Sequence, residues 1–383
     1  MTADADYDRD VTPAVITGIT TYALAVPLPR PPADSHASLT HWTVPVVEVT
    51  TSDGLTGTGI SGIHTGADLL SAVILDHYAP VLLGEDASLI RALWHKIYWS
   101  PLQWVGRAGI TQLALSMIDI ALWDLAAQRA ALPLWKLLGA HHPRLETYNT
   151  DGGWLNRSEA ELRDDLQSLV KEGWTSVKMK VGKSDWREDA RRVQVARDAI
   201  GPDIELMCDA NKMWTLQTAM KMLPVLREVG MGWIEEPLHP DDVDGHSRLQ
   251  RLTDIPIAVG ESLYSRFDFQ RFAAADAFRV AQVDVTRVGG ITEYLEIAAA
   301  MNGAGIPVVP HAGDMMVVHQ HLAASSFSQQ RIVEYLPWTL QAFHDPVRLE
   351  GTEIVLPETP GASTRIAASA RQWDVQDVGG SAT

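Results

Sequence analysis

Val177-Lys178-Met179-Lys180-Val181 decides how this chain is read. The run is apolar apart from two lysines one residue apart. A strand turns alternate side chains to opposite faces, so Lys178 and Lys180 share a face. On an edge strand both would be solvated. On an inward face, two adjacent ammonium groups are costly unless anions meet them. Repulsion and burial would each lower a lysine pKa, which would suit one of the pair to abstract a proton at neutral pH.

The next segments of the chain favour the inward face. Ile204-Glu205-Leu206-Met207-Cys208-Asp209 reads as a buried strand ending in an acid. So do Trp233-Ile234-Glu235-Glu236-Pro237, Ile257-Ala258-Val259-Gly260-Glu261 and Val280-Ala281-Gln282-Val283-Asp284. Ile306-Pro307-Val308-Val309-Pro310-His311 ends in histidine, and Ile332-Val333-Glu334-Tyr335 carries another acid. A helix-length segment separates each from the next. This alternation predicts a parallel (β/α) barrel, in which the C-terminal strand ends build the active site. Asp209, Glu235 and Glu261 then converge from three successive strands. Any one of them could serve as a helix cap. Three bare carboxylates in one pocket need a hard divalent cation, and an oxygen-only set favours Mg²⁺.

Further motifs lie outward of these strands. Ala114-Leu115-Ser116-Met117-Ile118-Asp119-Ile120-Ala121-Leu122-Trp123-Asp124 and Pro133-Leu134-Trp135-Lys136-Leu137-Leu138-Gly139 precede the barrel. With K-M-K-V-G, C-D-A-N, W-I-E-E-P, G-E and P-H-A-G in this order, the chain resembles the mandelate racemase branch of the enolase superfamily. The likeness runs from about Thr17 to Gly361. It implies an α/β fold, a modified TIM (β/α)7β-type barrel with an α+β capping domain. Within that branch the chain is most similar to acid-sugar dehydratases, L-fuconate dehydratases above all. That likeness rests on Tyr148-Asn149-Thr150-Asp151-Gly152-Gly153-Trp154-Leu155, Pro240-Asp241-Asp242-Val243-Asp244-Gly245-His246, Gln320-His321-Leu322 and Thr359-Pro360-Gly361. One departure is Lys212, where many relatives carry glutamine.

The resemblance assigns roles. Lys180 is the base, and Lys178 stays charged and binds the substrate carboxylate. His311, oriented by Asp284 on the adjacent strand end, delivers a proton from the opposite side. Glu334 and Trp154 are expected at the substrate, with Asn211 and Arg287 supporting metal and dyad. Two cap loops, Pro27 to Trp42 with His36 and His41 and Gly59 to Gly66 with His64, are expected to close the mouth and select substrate. The expected reaction removes the proton α to a carboxylate, with Mg²⁺ stabilising the charge that develops, and expels the 3-hydroxyl as water. A lysine or histidine base with Mg²⁺ is the general pattern of enolase-superfamily sites. The product would be a 2-keto-3-deoxy acid from an aldonate such as L-fuconate. The same pair could racemise or epimerise a 2-hydroxy acid. A third reading is a barrel without catalysis, serving binding or structure.

Composition bounds the setting. With 383 residues the chain is long enough for a barrel and a second domain. A net charge of −17 argues against nucleic acid and anionic membranes as partners. The single cysteine, Cys208, permits no internal disulfide and fits a reducing cytoplasm. Residues 110 to 127 are the most apolar stretch, but Asp119 and Asp124 mark a packed helix, not a membrane span. The expected organisation is a disordered tail over 1–14, a cap over 15–140 and the barrel over 141–340. Residues 341–383 then return to the cap, with Thr352 to Leu356 as the returning strand. A homo-oligomer is expected.

Overall fold

The computed structural model describes residues 13–63, 65–140, 143–312, 317–325 and 332–383. Most of the expected tail, His64 and Gly313 lie outside the described residues. Pro13 and Ala14 are described, and Ala14 is buried at the edge of the cap, its carbonyl accepting from Ala87 N–H.

The cap opens with β1 (Ile16–Pro27), β2 (His41–Thr51) and β3 (Thr56–Ile60), an antiparallel meander. β2 reads as a nearly continuous apolar run because both of its faces are covered. Val44 and Val46 pack with Val333 and Leu336 of the barrel end. Val47 and Val49 pack with Leu115 and Ile118 of the helix Ile110–Arg129. That helix lies so close to β3 that a Cβ on Gly59 would stand 1.8 Å from Met117 O. Gly59 is therefore a strand residue paired with Val47, not the start of a loop.

Ile110–Arg129 is long and apolar enough to cross a membrane by length and composition, yet it is packed inside the molecule. Its two acids explain the motif around them. Asp119 accepts from Thr292 N–H (2.9 Å) and Thr292 Oγ1 (2.6 Å), closing the start of the barrel helix Ile291–Gly303. Asp124 accepts from Thr58 N–H at 2.9 Å and Ala362 N–H at 2.7 Å. One buried helix thus ties cap sheet, barrel and C-terminal segment together.

The barrel strands are β4 (Arg144–Asn149), β5 (Ser176–Lys180), β6 (Glu205–Asp209), β7 (Met231–Glu235), β8 (Ile257–Val259) and β9 (Val280–Ala281). They pair in parallel, in order. Val308 bridges to Ala281, and β10 (Ile332–Tyr335) pairs in parallel with β4, so the sheet curves back on itself. Helices follow the strands: Glu159–Lys171, Trp186–Ile200, Leu216–Glu228, Val243–Arg251, Arg266–Ala274, Ile291–Gly303 and Val318–Ser325. Lys180 is level with Asp209, and Asp209 with Glu235, so the register places base and acids in one row across the strand ends.

The C-terminal segment differs from expectation. β12 (Glu353–Val355) does not reach the cap; it pairs antiparallel with β4 and with β11 (Arg348–Glu350). β4 engages β10 only from Glu146 and β5 only at Asn149, which leaves its amino end free for Ile354 and Val355. The return to the cap is made by β13 (Asp374–Ala382), antiparallel to β1.

His321, from the Gln320-His321-Leu322 motif, joins these parts. Its Nδ1 accepts from Trp135 N–H at 3.1 Å, and its Nε2 lies 3.2 Å from Ser363 Oγ. Burial pushes its pKa down to about 3. Between about pH 6 and pH 4 the unfolded chain binds this proton and the folded chain does not, so stability falls as pH falls. His321→Asn keeps an acceptor and removes the titration. Its unfolding free energy should lose about 1.4 kcal/mol per pH unit less over that range. An unchanged slope in denaturant titrations would show that the folded ring already protonates there.

Candidate active site

At the C-terminal strand ends six carboxylates face a smaller set of cations. Asp209, Glu235, Glu236, Asp284 and Glu334 are buried, and Glu261 nearly so. Against them stand Lys178, Lys180, Lys212 and Arg287, with His311 as a titratable fifth. Lys178 Nζ lies 2.7 Å from Glu235 Oε2 and 2.9 Å from Glu334 Oε1. The face of the Tyr148 ring lies 5.4 Å below it. Lys180 donates to Asp209 Oδ2, with the Trp154 ring 5.5 Å away.

The sequence pattern leads one to expect lowered lysine pKa values, and the surroundings reverse this. Burial alone pulls Lys180 down, but Asp209, helped by Glu235 and Glu261, outweighs it and Lys178, so its pKa is raised. Lys178 is likewise raised, by Glu235 and Glu334 against its burial. Neighbouring strands contribute more charge than the partner lysine does.

His311 sits between two acids. Its Nδ1 faces Asp284 Oδ2 at 2.9 Å and its Nε2 faces Glu261 Oε2 at 2.7 Å. Burial opposes its charge, yet Glu261 and Asp284 raise its pKa well above the usual value. Asp284 is itself fixed, since Oδ1 accepts from Thr286 N–H and Thr286 Oγ1, both at 2.8 Å. Arg287 Nε stands 3.8 Å from its Oδ2. The ring therefore has a set direction.

Glu334 Oε1 accepts from Thr150 Oγ1 at 2.6 Å, and Oε2 from Ala312 N–H at 2.6 Å. Lys178 and His311 hold its carboxyl below the usual range against its burial. Its two oxygens are thus held by Thr150, Ala312 N–H and Lys178.

The donor chemistry fits a hard divalent cation. One ligand atom each from Glu235, Glu261 and His311 lie within 4.8 Å of one another. Glu235 Oε1 and Asn211 Oδ1 are buried without a hydrogen-bond partner. Asp209 stands level with Glu235 on the next strand, its Oδ1 accepting from Asn211 N–H at 2.8 Å. Burial raises the Glu235 carboxyl to about 7, with Lys178 opposing. Such a group gains when more positive charge arrives.

Lys180, Asn211, Glu261, Arg287, His311 and Glu334 line one cavity, together with Trp154. His36 does not line it. Its exposed ring lies with Nε2 2.6 Å from Asn211 O, clipping the cap loop onto the loop after β6; that loop is only residues 28–40, since Pro27 ends β1 and His41 and Trp42 begin β2. His41 is likewise exposed and away from the cavity.

Several residues escape a sequence reading. Glu236 is buried at φ +38°, with Lys212 Nζ 3.2 Å from its Oε2. Lys212 also reaches Glu261 Oε1 at 3.1 Å, so the departure from glutamine adds a cation beside the acids. Gln282 Nε2 donates to Glu235 Oε2 at 2.7 Å. Its spacing of two from Asp284 on one strand was the available signal.

Comparisons with known proteins agree with this architecture. The family model "Mandelate racemase / muconate lactonizing enzyme, N-terminal domain" matches residues 18–139, and "Enolase C-terminal domain-like" matches residues 161–370. L-talarate/galactarate dehydratase of Salmonella typhimurium is 33% identical over 354 residues, covering 91% of this chain and 88% of the relative. The 3,6-anhydro-alpha-L-galactonate cycloisomerase of Streptomyces coelicolor is 32% identical, covering 91% and 96%. The crystal structure of L-talarate dehydratase from Polaromonas sp. JS666, complexed with Mg and L-glucarate, superposes with a TM-score of 0.86. It is 32% identical, with 96% of this chain and 99% of that chain covered. Family models, relatives and fold together place this chain in the enolase superfamily, in its mandelate racemase/muconate lactonizing enzyme branch.

Proposed function

We propose that this chain is a Mg²⁺-dependent hydro-lyase that converts a sugar acid to a 2-keto-3-deoxy acid. The observation that carries the proposal is a single cavity lined by Lys180 on one side and the Asp284-oriented His311 on the other. The relatives named as dehydratases, and the neighbour holding Mg and L-glucarate, support it.

In this reading Asp209, Glu235 and Glu261 hold the ion, with Asn211 beside them. Mg²⁺ held there would supply Lewis-acid stabilisation of the charge that grows on the substrate carboxylate. Lys178 stays charged between Glu235 and Glu334 and meets the substrate carboxylate. Lys180 takes the α-proton. His311 gives a proton to the 3-hydroxyl, which leaves as water. The enol left behind tautomerises to the keto acid. Arg287 and Thr286 hold Asp284, which holds the His311 ring. A homo-oligomeric cytoplasmic enzyme acting on small carboxylates, without nucleic-acid or membrane partners, completes the reading.

The test is a panel of sugar-acid stereoisomers with a readout for 2-keto acids. At least one acid should give keto product with Mg²⁺, none with excess EDTA, and restored Mg²⁺ should restore turnover. The cycloisomerase relative favours a second reading, since the same pair can move a proton without losing water. An isomerised acid with unchanged mass and no keto product from the open-chain acids would establish it instead.

A further inference from the structure

Resting on that dehydratase reading, we propose that the site takes sugar monocarboxylates whose far end is uncharged, and that a row of three tryptophans reads that end. The row leads away from the base. Trp154 lies 5.5 Å from Lys180 Nζ, Trp338 is 4.9 Å from Trp154, and Trp42 is 5.4 Å from Trp338. All three line the cavity, with Pro32, Leu39 and Leu336 beside them.

The cations of the lining are held at the barrel mouth. Among the described residues, the cations lining the cavity are Lys180, Arg287 and His311. Each is already paired with Asp209, Asp284 or Glu261 at the barrel mouth. Arg30 of the cap loop does not line this cavity; it pairs with Asp165 (2.9 Å) and borders a separate depression on the other side of Trp338. Among the described residues, the charged side chain the cap loop adds to the lining is an acid, Asp34, whose Oδ1 accepts from His36 N–H (2.7 Å) and Ala37 N–H (2.9 Å).

Hydrogen-bond donors are sorted in the same way. The indole N–H groups of Trp154 and Trp338 both point to Asp151 Oδ1, at 3.2 and 3.3 Å. The pair therefore offers the cavity ring surface in place of N–H donors. Ring faces suit the C–H face of a sugar chain or a terminal methyl. A second carboxylate placed there would lose its water and find no partner cation among the described lining residues, which is a heavy penalty. Discrimination thus comes from a hostile end as well as a welcoming one.

The experiment compares acids that differ only at the far carbon. L-Fuconate, L-galactonate and galactarate carry CH₃, CH₂OH and COO⁻ on the same stereochemical series. Other aldonates are paired with the aldarate made by oxidising the terminal CH₂OH. Binding to the Mg²⁺-loaded protein is followed by tryptophan fluorescence, and turnover by keto-acid release. In the series that binds best, the uncharged-end acid should bind at least about 100-fold tighter than its dicarboxylate. Leu39→Arg should improve the dicarboxylate-to-monocarboxylate ratio at least about tenfold, and Leu39→Gln should not. A dicarboxylate that binds as well as its partner overturns the inference, even if it is dehydrated and the general reading stands. Tight monocarboxylate binding without keto product would instead overturn the dehydratase reading and leave the selectivity standing. Failure of every pair to bind overturns the inference as well.

Discussion

Lys180→Ala should abolish dehydration and, with it, exchange of the substrate α-proton with solvent. His311→Asn should abolish dehydration but still exchange that proton. The two side chains stand on barrel strands well separated around the sheet, β5 and the strand preceding His311, and both face the cavity. One can therefore act on the α-carbon while the other acts on the 3-hydroxyl. Losing the base leaves nothing placed to take the proton. Losing the acid still allows the proton to leave and return, since the hydroxyl alone is stranded. Each substitution should cost at least about 10³-fold in kcat, near the upper range for one general acid or base. Proton NMR in D₂O separates the cases, because exchange shows as loss of the α-proton signal without keto product. Asp284→Asn should fall between them, losing the acceptor that sets the His311 ring while leaving Lys180 in place. Exchange that survives in Lys180→Ala and vanishes in His311→Asn would exchange the roles.

The barrel was legible because its strands are short, doubly buried and therefore continuously apolar, each ending in a residue of unusual chemistry. Asp209, Glu235 and Glu261 could be picked out for that reason alone. Contacts set by sheet register were not legible. Lys180 is level with Asp209 only because β5 and β6 pair as they do, and Lys178 meets Glu235 and Glu334 from β7 and β10. Local sequence shows one lysine beside another, so it weighs repulsion and misses the acids that reverse both pKa shifts. Backbone geometry hid other features. Glu236 escapes notice because a left-handed turn after Glu235 redirects it into the site. Gly59 reads as loop because its reason for being glycine, the carbonyl of Met117, is far away in sequence. Thr352 to Leu356 reads as a strand returning to the cap because the free amino end of β4, which Ile354 and Val355 occupy, is invisible in the order of strands along the chain. His36 carried the right residue type for a substrate loop, but its ring is spent on the Asn211 carbonyl.

Asp209→Asn should weaken Mg²⁺ binding by at least about tenfold and remove turnover at any attainable Mg²⁺ concentration. The substitution keeps the shape, and its amide oxygen can still accept from Asn211 N–H, as Asp209 Oδ1 does now. It removes one charge from the row Lys180–Asp209–Glu235. A hard cation held by few carboxylates depends strongly on each. The loss should appear in two measurements that do not need the reaction. Calorimetry should show the weaker Mg²⁺ affinity directly. Thermal melting should show wild type gaining stability with Mg²⁺, by about 2.7 kcal/mol at 100 times Kd, and the variant gaining far less at the same concentration. Glu236→Gln provides the contrast. Its carboxylate is buried at the same depth, but Lys212 and Glu261 surround it. It should change Mg²⁺ affinity less than Asp209→Asn, because it removes a neighbour of the ion's ligands and leaves the ligands themselves. Wild-type Mg²⁺ affinity in Asp209→Asn would remove Asp209 from the metal site and leave Glu235, Glu261 and His311 as the described group that could hold the ion, whereas full activity of that variant in excess EDTA would remove the metal from the reaction.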